Sequence, residues 1–400
     1  MPAPSSTVVV GASLAGLRTV EALRRLGEDG PVTVVGAEAH PPYDRPPLSK
    51  RALTALERDP VELTALAVAD DLGVEWRLGT AATGLDLERR RVVLGDDEVP
   101  FTRLVIATGA SARRLPVFGE HRGVHVLRTL DDAVALRAEL RTGPRVAVVG
   151  AGFIGLEVAS SCRDLGLDVT VVEAARVPLE LALGATIGAR VAGRHRDAGV
   201  RLETGVAVAD VIGTGRVEAL ELGDGRRIAA DVVVVGIGVA PATSWLDGSG
   251  VDLDDGVRCD SRLRVLRGGR PMPEVVAAGD VARWQHPVTG RPVRVEHWTN
   301  AVEQGDAAAR TLLGGDAAPP FAPVPYFWSD QLGAKLQMLG TTDPGDEVAV
   351  LDDDGTGSRW LAAYGRDGRT VAAVGSSRAA KLMRLRPAIE QGSPFPPPLP

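Results

Sequence analysis

Cysteine is nearly absent, with two residues in 400, Cys162 and Cys259. Neither lies in a C-x-x-C pair, so neither a redox disulfide nor a cysteine metal cluster is indicated, and no metal site is expected. Cys162 falls mid-helix behind a glycine loop and reads as a small core residue. Long apolar runs are also missing; none approaches the roughly 20 residues that span a bilayer. The opening Met-Pro-Ala-Pro-Ser-Ser has neither a basic nor an apolar segment, so no secretion signal is read and the cytoplasm is the default expectation. Positive charge is in deficit. A net charge of −7 argues against bulk nucleic-acid binding. Lysine is scarce beside arginine, and alanine and glycine abound, which reads as a codon-composition bias and carries no function.

What is present is concentrated in residues 146–173. Four apolar residues, Val-Ala-Val-Val, form a buried strand, and Gly150, Gly152 and Gly155 then fill a G-x-G-x-x-G loop. A helix follows to Leu165 and stops at Gly166, and a second apolar strand ends in an acid, Glu173. Strand, loop, helix, strand and acid together make the dinucleotide-binding fingerprint. The glycines permit a tight turn and close approach of backbone to pyrophosphate, and the helix N-terminus offers free N–H groups and a positive dipole end. Glu173 would accept hydrogen bonds from an adenosine ribose and repel a 2′-phosphate, which favours NAD over NADP. Arg176, just beyond, is the one feature that pulls the other way.

The same unit occurs earlier. Residues 7–10 form a strand, Gly11-Ala-Ser13-Leu14-Ala15-Gly16 opens a helix to Leu26, and the strand 32–35 precedes Glu38. Val-Thr-Val-Val recurs at 32–35 and 169–172. Two such units imply two dinucleotides. Ser13 stands in place of the second glycine; it is small, and its hydroxyl can donate to phosphate. The segment 41–50 is too rich in proline for helix or central strand and reads as a stiff loop that either fixes Lys50 or leaves it solvated. Residues 104–106 form a short strand ending in Ala107-Thr108-Gly109, residues 131–140 a helix, and residues 232–235 a buried strand before a Gly/Pro turn at 236–241. The strand 275–278 ends in Gly279-Asp280, where Asp280 either meets a ligand or caps a following helix. Beyond a proline-rich linker at 317–325, strands at 335–339, 347–351, 360–364 and 370–374 and a final helix near 378–386 predict an antiparallel sheet domain, with the tail 393–400 mobile.

Taken together, these residues resemble the flavin-dependent pyridine-nucleotide reductases that serve 2Fe–2S ferredoxins, the putidaredoxin reductase, rubredoxin reductase and aromatic-dioxygenase reductase type. The resemblance covers nearly the whole chain. It rests on the two glycine loops, Arg45-Pro-Pro-Leu-Ser-Lys50, Ala107-Thr108-Gly109, the segments 236–241 and 278–280, Glu296-His-Trp-Thr-Asn300 and Phe327-Trp-Ser-Asp-Gln331. Pro-Pro-Leu-Ser-Lys and Trp-Ser-Asp-Gln are its most specific parts.

The resemblance implies an α/β fold with two Rossmann-like, glutathione-reductase-like domains and a C-terminal α+β interface domain. FAD would bind residues 1–111 and 241–318, NADH residues 112–240, and the interface domain would span 319–400. FAD contacts are implied for Gly11, Ser13, Leu14, Ala15, Gly16, Glu38, Arg45, Ala82, Ala107, Thr108, Gly109, Arg128, Asp280 and Trp298, and nucleotide contacts for Gly150, Gly152, Phe153, Ile154, Gly155, Glu173 and Gly238. Lys50 and Glu157 are implied to pair beside the flavin ring, with Trp328 closing it on the side where the partner docks. By the residues alone, Glu157 is an acid in the first turn of a helix and Trp298 a core tryptophan. Relatives often carry Asp where this chain has Ala37, so the ribose contact falls to Glu38. The C-x-x-x-x-C pair of glutathione-reductase relatives is absent, which implies that electrons leave singly to an outside carrier.

The expected activity is NADH:ferredoxin reduction feeding a monooxygenase or dioxygenase, in a monomer or weak homodimer that engages neither membrane nor nucleic acid. An NADH oxidase and a non-enzymatic NADH sensor resembling apoptosis-inducing factor are the alternatives. A basic cluster, Arg378, Lys381, Arg384 and Arg386 with Lys335, is a candidate docking face for an acidic ferredoxin or else a solvated basic helix.

Overall fold

The computed structural model describes residues 6–66, 72–119 and 121–399, so most of the opening stretch read above for a secretion signal lies outside the described residues. No helix among the described residues is long and apolar enough to cross a membrane. The chain divides into two compact units.

The first unit comprises Met1–Asp44, Ala65–Ser111 and Ala240–Pro323. In its nine-stranded sheet Thr7–Val10 is flanked by parallel Val32–Val35 and Arg103–Ile106, with Arg270–Ala277 beyond the latter. Val8, Val9, Val10, Val34, Leu104, Val105, Ile106 and Val276 are at most 2% exposed. A parallel strand covered on both faces has no solvent side, which is why these segments read as unbroken apolar runs rather than alternations. Helices Leu14–Arg25 and Trp298–Gly314 pack against each other. A Cβ on Gly305 would come within 2.9 Å of the Ala15 carbonyl oxygen, so that glycine lets the two helices touch backbone to backbone.

The second unit comprises Arg45–Thr64, Ala112–Val239 and Val324–Pro400. Its parallel sheet runs Arg201–Thr204, Val169–Glu173, Val146–Val149, Val232–Val235, Val124–Val126. Helices Leu130–Leu140, Phe153–Asp164 and Glu180–Asp197 belong to it. Thr129 and Asp132 form a reciprocal capping box at the first of these.

The same unit carries an antiparallel sheet in the order Tyr326–Gln331, Ala334–Gly340, Arg369–Ser376, Trp360–Arg366, Glu347–Asp353. Its strands extend the expected ones, and Tyr326–Gln331 joins them as an edge strand. The single expected final helix is two short ones, Ala379–Arg384 and Arg386–Glu390. Pro387 lacks the N–H that a continuous helix would need there. The tail is not loose as expected. Thr370 N–H bonds Ser393 O at 2.8 Å, Phe395 N–H bonds Gly368 O at 3.0 Å, and the Phe395 ring lies against Gly365, where an added Cβ would approach to 2.3 Å. Glycine at 365 is the seat for that ring.

Candidate active site

In the first unit, the turn after Thr7–Val10 is built by exclusion. A Cβ on Gly11 would sit 2.1 Å from the Ala107 carbonyl oxygen, and one on Gly16 would sit 2.0 Å from that of Gly11. Only glycine lets strand, turn and helix close so tightly, and Gly11 also needs its positive φ of 123°. Gly36, passed over in the sequence, does the same for the next strand end, with Ala12 Cβ 2.5 Å from where its own would be. Ser13 holds the N-cap in extended backbone, and Leu14, Ala15 and Gly16 form the first helical turn. Glu38 accepts a hydrogen bond from Tyr43 Oη. Thr108 Oγ1 donates to Ala242 O at 2.8 Å, which fixes the Ala107–Gly109 corner, and Ala82 packs on the rim of the core.

Asp280 also reaches this corner. Gly279 lies against Ala15, and its N–H bonds Gln304 Oε1 at 2.8 Å. The segment after Asp280 is the strand Ala282–Gln285, so the helix-cap alternative for Asp280 is overturned. Trp298 opens helix Trp298–Gly314 and donates Nε1–H to Asp44 Oδ1 at 2.6 Å. At the cap of that helix burial pushes the His297 imidazole down to about 4, with Asp280 acting against the shift. The neutral ring leaves the positive helix end without a competing cation. Excluded side chains around the turn and open helical N–H groups suit a dinucleotide pyrophosphate, so this corner fits FAD.

The second cradle repeats the construction. A Cβ on Gly150 would meet Gly236 O at 2.4 Å, and one on Gly155 would meet Gly150 O at 2.1 Å, while one on Gly152 would meet nothing within 4 Å. The outer glycines are there for packing. The middle one faces open space, where a phosphate can approach the backbone. Gly238, with φ of 91°, also faces open space. The Glu173 carboxylate accepts Ala151 N–H at 2.6 Å and Ala175 N–H at 2.8 Å, which holds it at the loop with lone pairs to spare for two ribose hydroxyls. Arg176 is bound to Glu180, Nη2 to Oε1 at 2.7 Å, so it is engaged elsewhere than with a 2′-phosphate. These residues fit NADH.

Helix Phe153–Asp164 leaves this second glycine loop. Glu157 lies in its second turn rather than the first as expected, and is 6% exposed. Lys50 Nζ lies 2.7 Å from Glu157 Oε2, and Ser49 Oγ donates to the same oxygen at 2.5 Å. Lys50 also donates to Pro46 O at 3.1 Å, so the proline loop does hold its lysine, and the solvated alternative fails. Ser161 Oγ donates to Ser49 O at 2.6 Å and ties the loop to the helix.

Strand Tyr326–Gln331 packs on the same helix. Phe327 meets Phe153 edge to face at 4.6 Å, Ser329 Oγ donates to Glu157 Oε1 at 2.6 Å, and Leu332 N–H bonds Ser160 Oγ at 2.7 Å. Ile154, between Phe153 and Gly155, keeps 39% exposure beside the open glycine. Trp328 points to the other face of the strand, stacked on Tyr326 at 6.2 Å with Lys335 Nζ 5.7 Å from its ring centre. The two arginines assigned to FAD also meet in this unit, Arg45 Nη1 donating to Arg128 O at 2.6 Å.

Ser49, Ser329 and Gln331 stand inside the quoted motifs but were given no role there, and His195 was not singled out. The available signal was a serine and a glutamine on the buried side of an edge strand. The basic cluster is largely spent within the fold: Arg378 and Lys381 both grip Asp352, at 2.7 and 2.8 Å, and Arg386 sits on a separate helix facing Glu390. Arg384 remains exposed and in no ion pair among the described residues. Both thiols are buried; burial pushes the Cys162 thiol up to about 12 and the Cys259 thiol higher still.

Residues 5–305 match the family model described as pyridine nucleotide-disulphide oxidoreductase, and the chain belongs to that family. Residues 326–399 match a second model, described as reductase C-terminal. The chain is 39% identical to the ferredoxin–NAD(+) reductase component of an anthranilate 1,2-dioxygenase system from Burkholderia cepacia, over 96% of this chain and 94% of that one. It is 38% identical to rhodocoxin reductase of Rhodococcus erythropolis, over 86% and 80% of the two chains. The fold superposes on putidaredoxin reductase in its covalent complex with putidaredoxin with a TM-score of 0.90 at 30% identity, covering 97% of this chain and 93% of that one.

Proposed function

We propose that this chain is an FAD-dependent ferredoxin reductase that takes electrons from NADH and delivers them to a 2Fe–2S ferredoxin serving a monooxygenase or dioxygenase. The observation that carries this reading is the buried Lys50–Glu157 pair, mounted on the helix that leaves the second glycine cradle. FAD, when bound, supplies the means to accept a two-electron hydride and release electrons one at a time. The chain's own residues do the rest. Lys50 presents an ammonium that would stabilise negative charge on a reduced flavin, and Glu157 holds that ammonium in one place.

Glu173 selects NADH by its bonds to the ribose, and Asp280, Glu38, Arg45 and Arg128 hold FAD. Trp298 of the first unit and Trp328 of the second are the tryptophans that would lie near the flavin when it is bound. The FAD domain comprises residues 1–111 and 241–318, the NADH domain 112–240 and the interface domain 319–400. Two buried, unpaired thiols support a reducing compartment, the cytoplasm. The same two inert thiols favour an outside one-electron acceptor over an internal disulfide.

Anaerobic addition of NADH to the flavin-loaded protein, followed by a 2Fe–2S ferredoxin, tests this. Bleaching of the visible flavin band by NADH and its prompt return with ferredoxin is the expected result. Bleaching that ferredoxin does not reverse excludes the reductase and leaves the oxidase and the sensor; oxygen consumption then separates those two.

A further inference from the structure

Beyond the Lys50–Glu157 pair lies a buried chain of polar groups that nothing so far has used. Ser329 Oγ donates to Glu157 Oε1 at 2.6 Å, Gln331 Nε2 lies 2.9 Å from Ser329 Oγ, and His195 Nε2 lies 3.1 Å from Gln331 Oε1. Ser329 is 1%, Gln331 6% and His195 0% exposed. His195 Nδ1 is buried without a hydrogen-bond partner.

The direction of every bond follows from the donors available. An ionised Glu157 only accepts, so the one Ser329 hydroxyl proton goes to it. Ser329 then has only lone pairs left for Gln331, which must turn its NH2 toward the serine and its carbonyl toward His195. His195 must answer with Nε2–H. Its Nδ1 is then the bare lone pair, which is cheaper to leave unmatched than an N–H in the same place.

Removing the charge of Glu157 reverses the chain. A neutral group at 157 keeps its oxygen toward Lys50 and Ser49 and presents a donor to Ser329. The serine proton turns to Gln331, the amide flips, and its NH2 meets His195 Nε2, which must now be bare, with the proton on Nδ1. We propose that Ser329, Gln331 and His195 are positioning residues, a directional hydrogen-bond chain from the C-terminal strand that holds Glu157 turned toward Lys50. The proposal deepens the reading above, since it concerns how the pair assigned to hydride transfer is kept in its working state. It can be tested without that reaction.

The test is nitrogen NMR of the full-length, flavin-loaded protein labelled with 15N-histidine, which reports the tautomer of each ring. His195→Asn assigns the signal by its disappearance; if that variant does not fold, replacing the other five of the six histidines in turn assigns it by elimination. The expected result is Nε2–H in the wild type and Nδ1–H in Glu157→Gln. With Ser329→Ala the ring takes the same tautomer whether Glu or Gln occupies position 157, and with Ser329→Thr the switch returns. A wild-type ring in the Nδ1–H form, a tautomer indifferent to Glu157→Gln, or a switch that survives Ser329→Ala overturns the proposal. None of these outcomes depends on NADH or ferredoxin, so loss of the reductase reading and loss of the chain are separable. In the working enzyme, Gln331→Leu is expected to slow NADH-driven flavin bleaching about tenfold with NADH affinity unchanged.

Discussion

Lys50 and Glu157 are separated by more than one hundred residues, yet they form a close ion pair within the second unit, 2.7 Å apart with Glu157 almost fully enclosed. Removing the cation leaves a buried carboxylate held by two serine hydroxyls alone, which is an unfavourable state. Lys50→Met should therefore slow NADH-driven flavin bleaching about 10- to 100-fold in stopped-flow while NADH still binds. Glu173 is the other residue whose role is separable. Glu173→Ala should cut the NADH over NADPH preference about tenfold or more in kcat/KM, by removing bonds to the ribose and repulsion of the phosphate; an unchanged ratio would end the ribose assignment. The two cradles were legible because each is local, glycines and acid within about 30 residues of one βαβ unit. The Lys50–Glu157 pair was not, since composition gave only a proline-stiffened loop and a helical acid, and the family resemblance had to join them. The roles of Ser49, Ser329 and Gln331, and His195 altogether, stayed hidden, because a polar side chain buried by tertiary packing looks in sequence like any surface one.

At the level of elements, the C-terminal sheet shows where local signals fail. Its four later strands were legible from apolar and turn residues, but the edge strand Tyr326–Gln331 was seen only as a motif, because its alternation mixes aromatics with polar residues on both faces. The tail misled for the opposite reason. Its prolines suggested mobility, whereas two backbone bonds and one ring pin it to the strand pair Trp360–Arg366 and Arg369–Ser376. Phe395→Ala should cost about 1–2 kcal/mol in chemical denaturation, the value of a partly buried ring. A stability equal to wild type would restore the mobile tail.

Over the whole molecule two charge effects are expected. Burial, helped by Arg194 and opposed by the Gln331 bond, holds His195 below the usual histidine range. The folded chain therefore refuses a proton that the unfolded chain accepts. Its contribution is fully present above about pH 6.5 and is lost as pH falls below that. The melting temperature should decline between pH 7 and 5, and less steeply in His195→Asn; equal slopes would remove the histidine from the account. The second effect concerns the partner. With a net charge of −7, attraction of an acidic ferredoxin has to be local, and Arg384 is the member of the basic cluster that is exposed and in no ion pair among the described residues, Lys335 being exposed but paired with Asp330. Arg384→Glu should raise the apparent KM for ferredoxin about 3- to 10-fold at low ionic strength and leave the KM for NADH alone.

The strand Tyr326–Gln331 has a further consequence. Its odd-numbered side chains, Phe327, Ser329 and Gln331, lie with Phe153, Glu157 and His195, and its even-numbered ones, Tyr326, Trp328 and Asp330, turn the other way. Two sets of contacts are thus written on alternate letters of one six-residue word. On the proposed assignment of Trp328 to the partner side, the even letters could be rewritten to suit a new acceptor while every odd letter is kept. A one-residue insertion is the change this arrangement cannot absorb, because it exchanges the two texts at once.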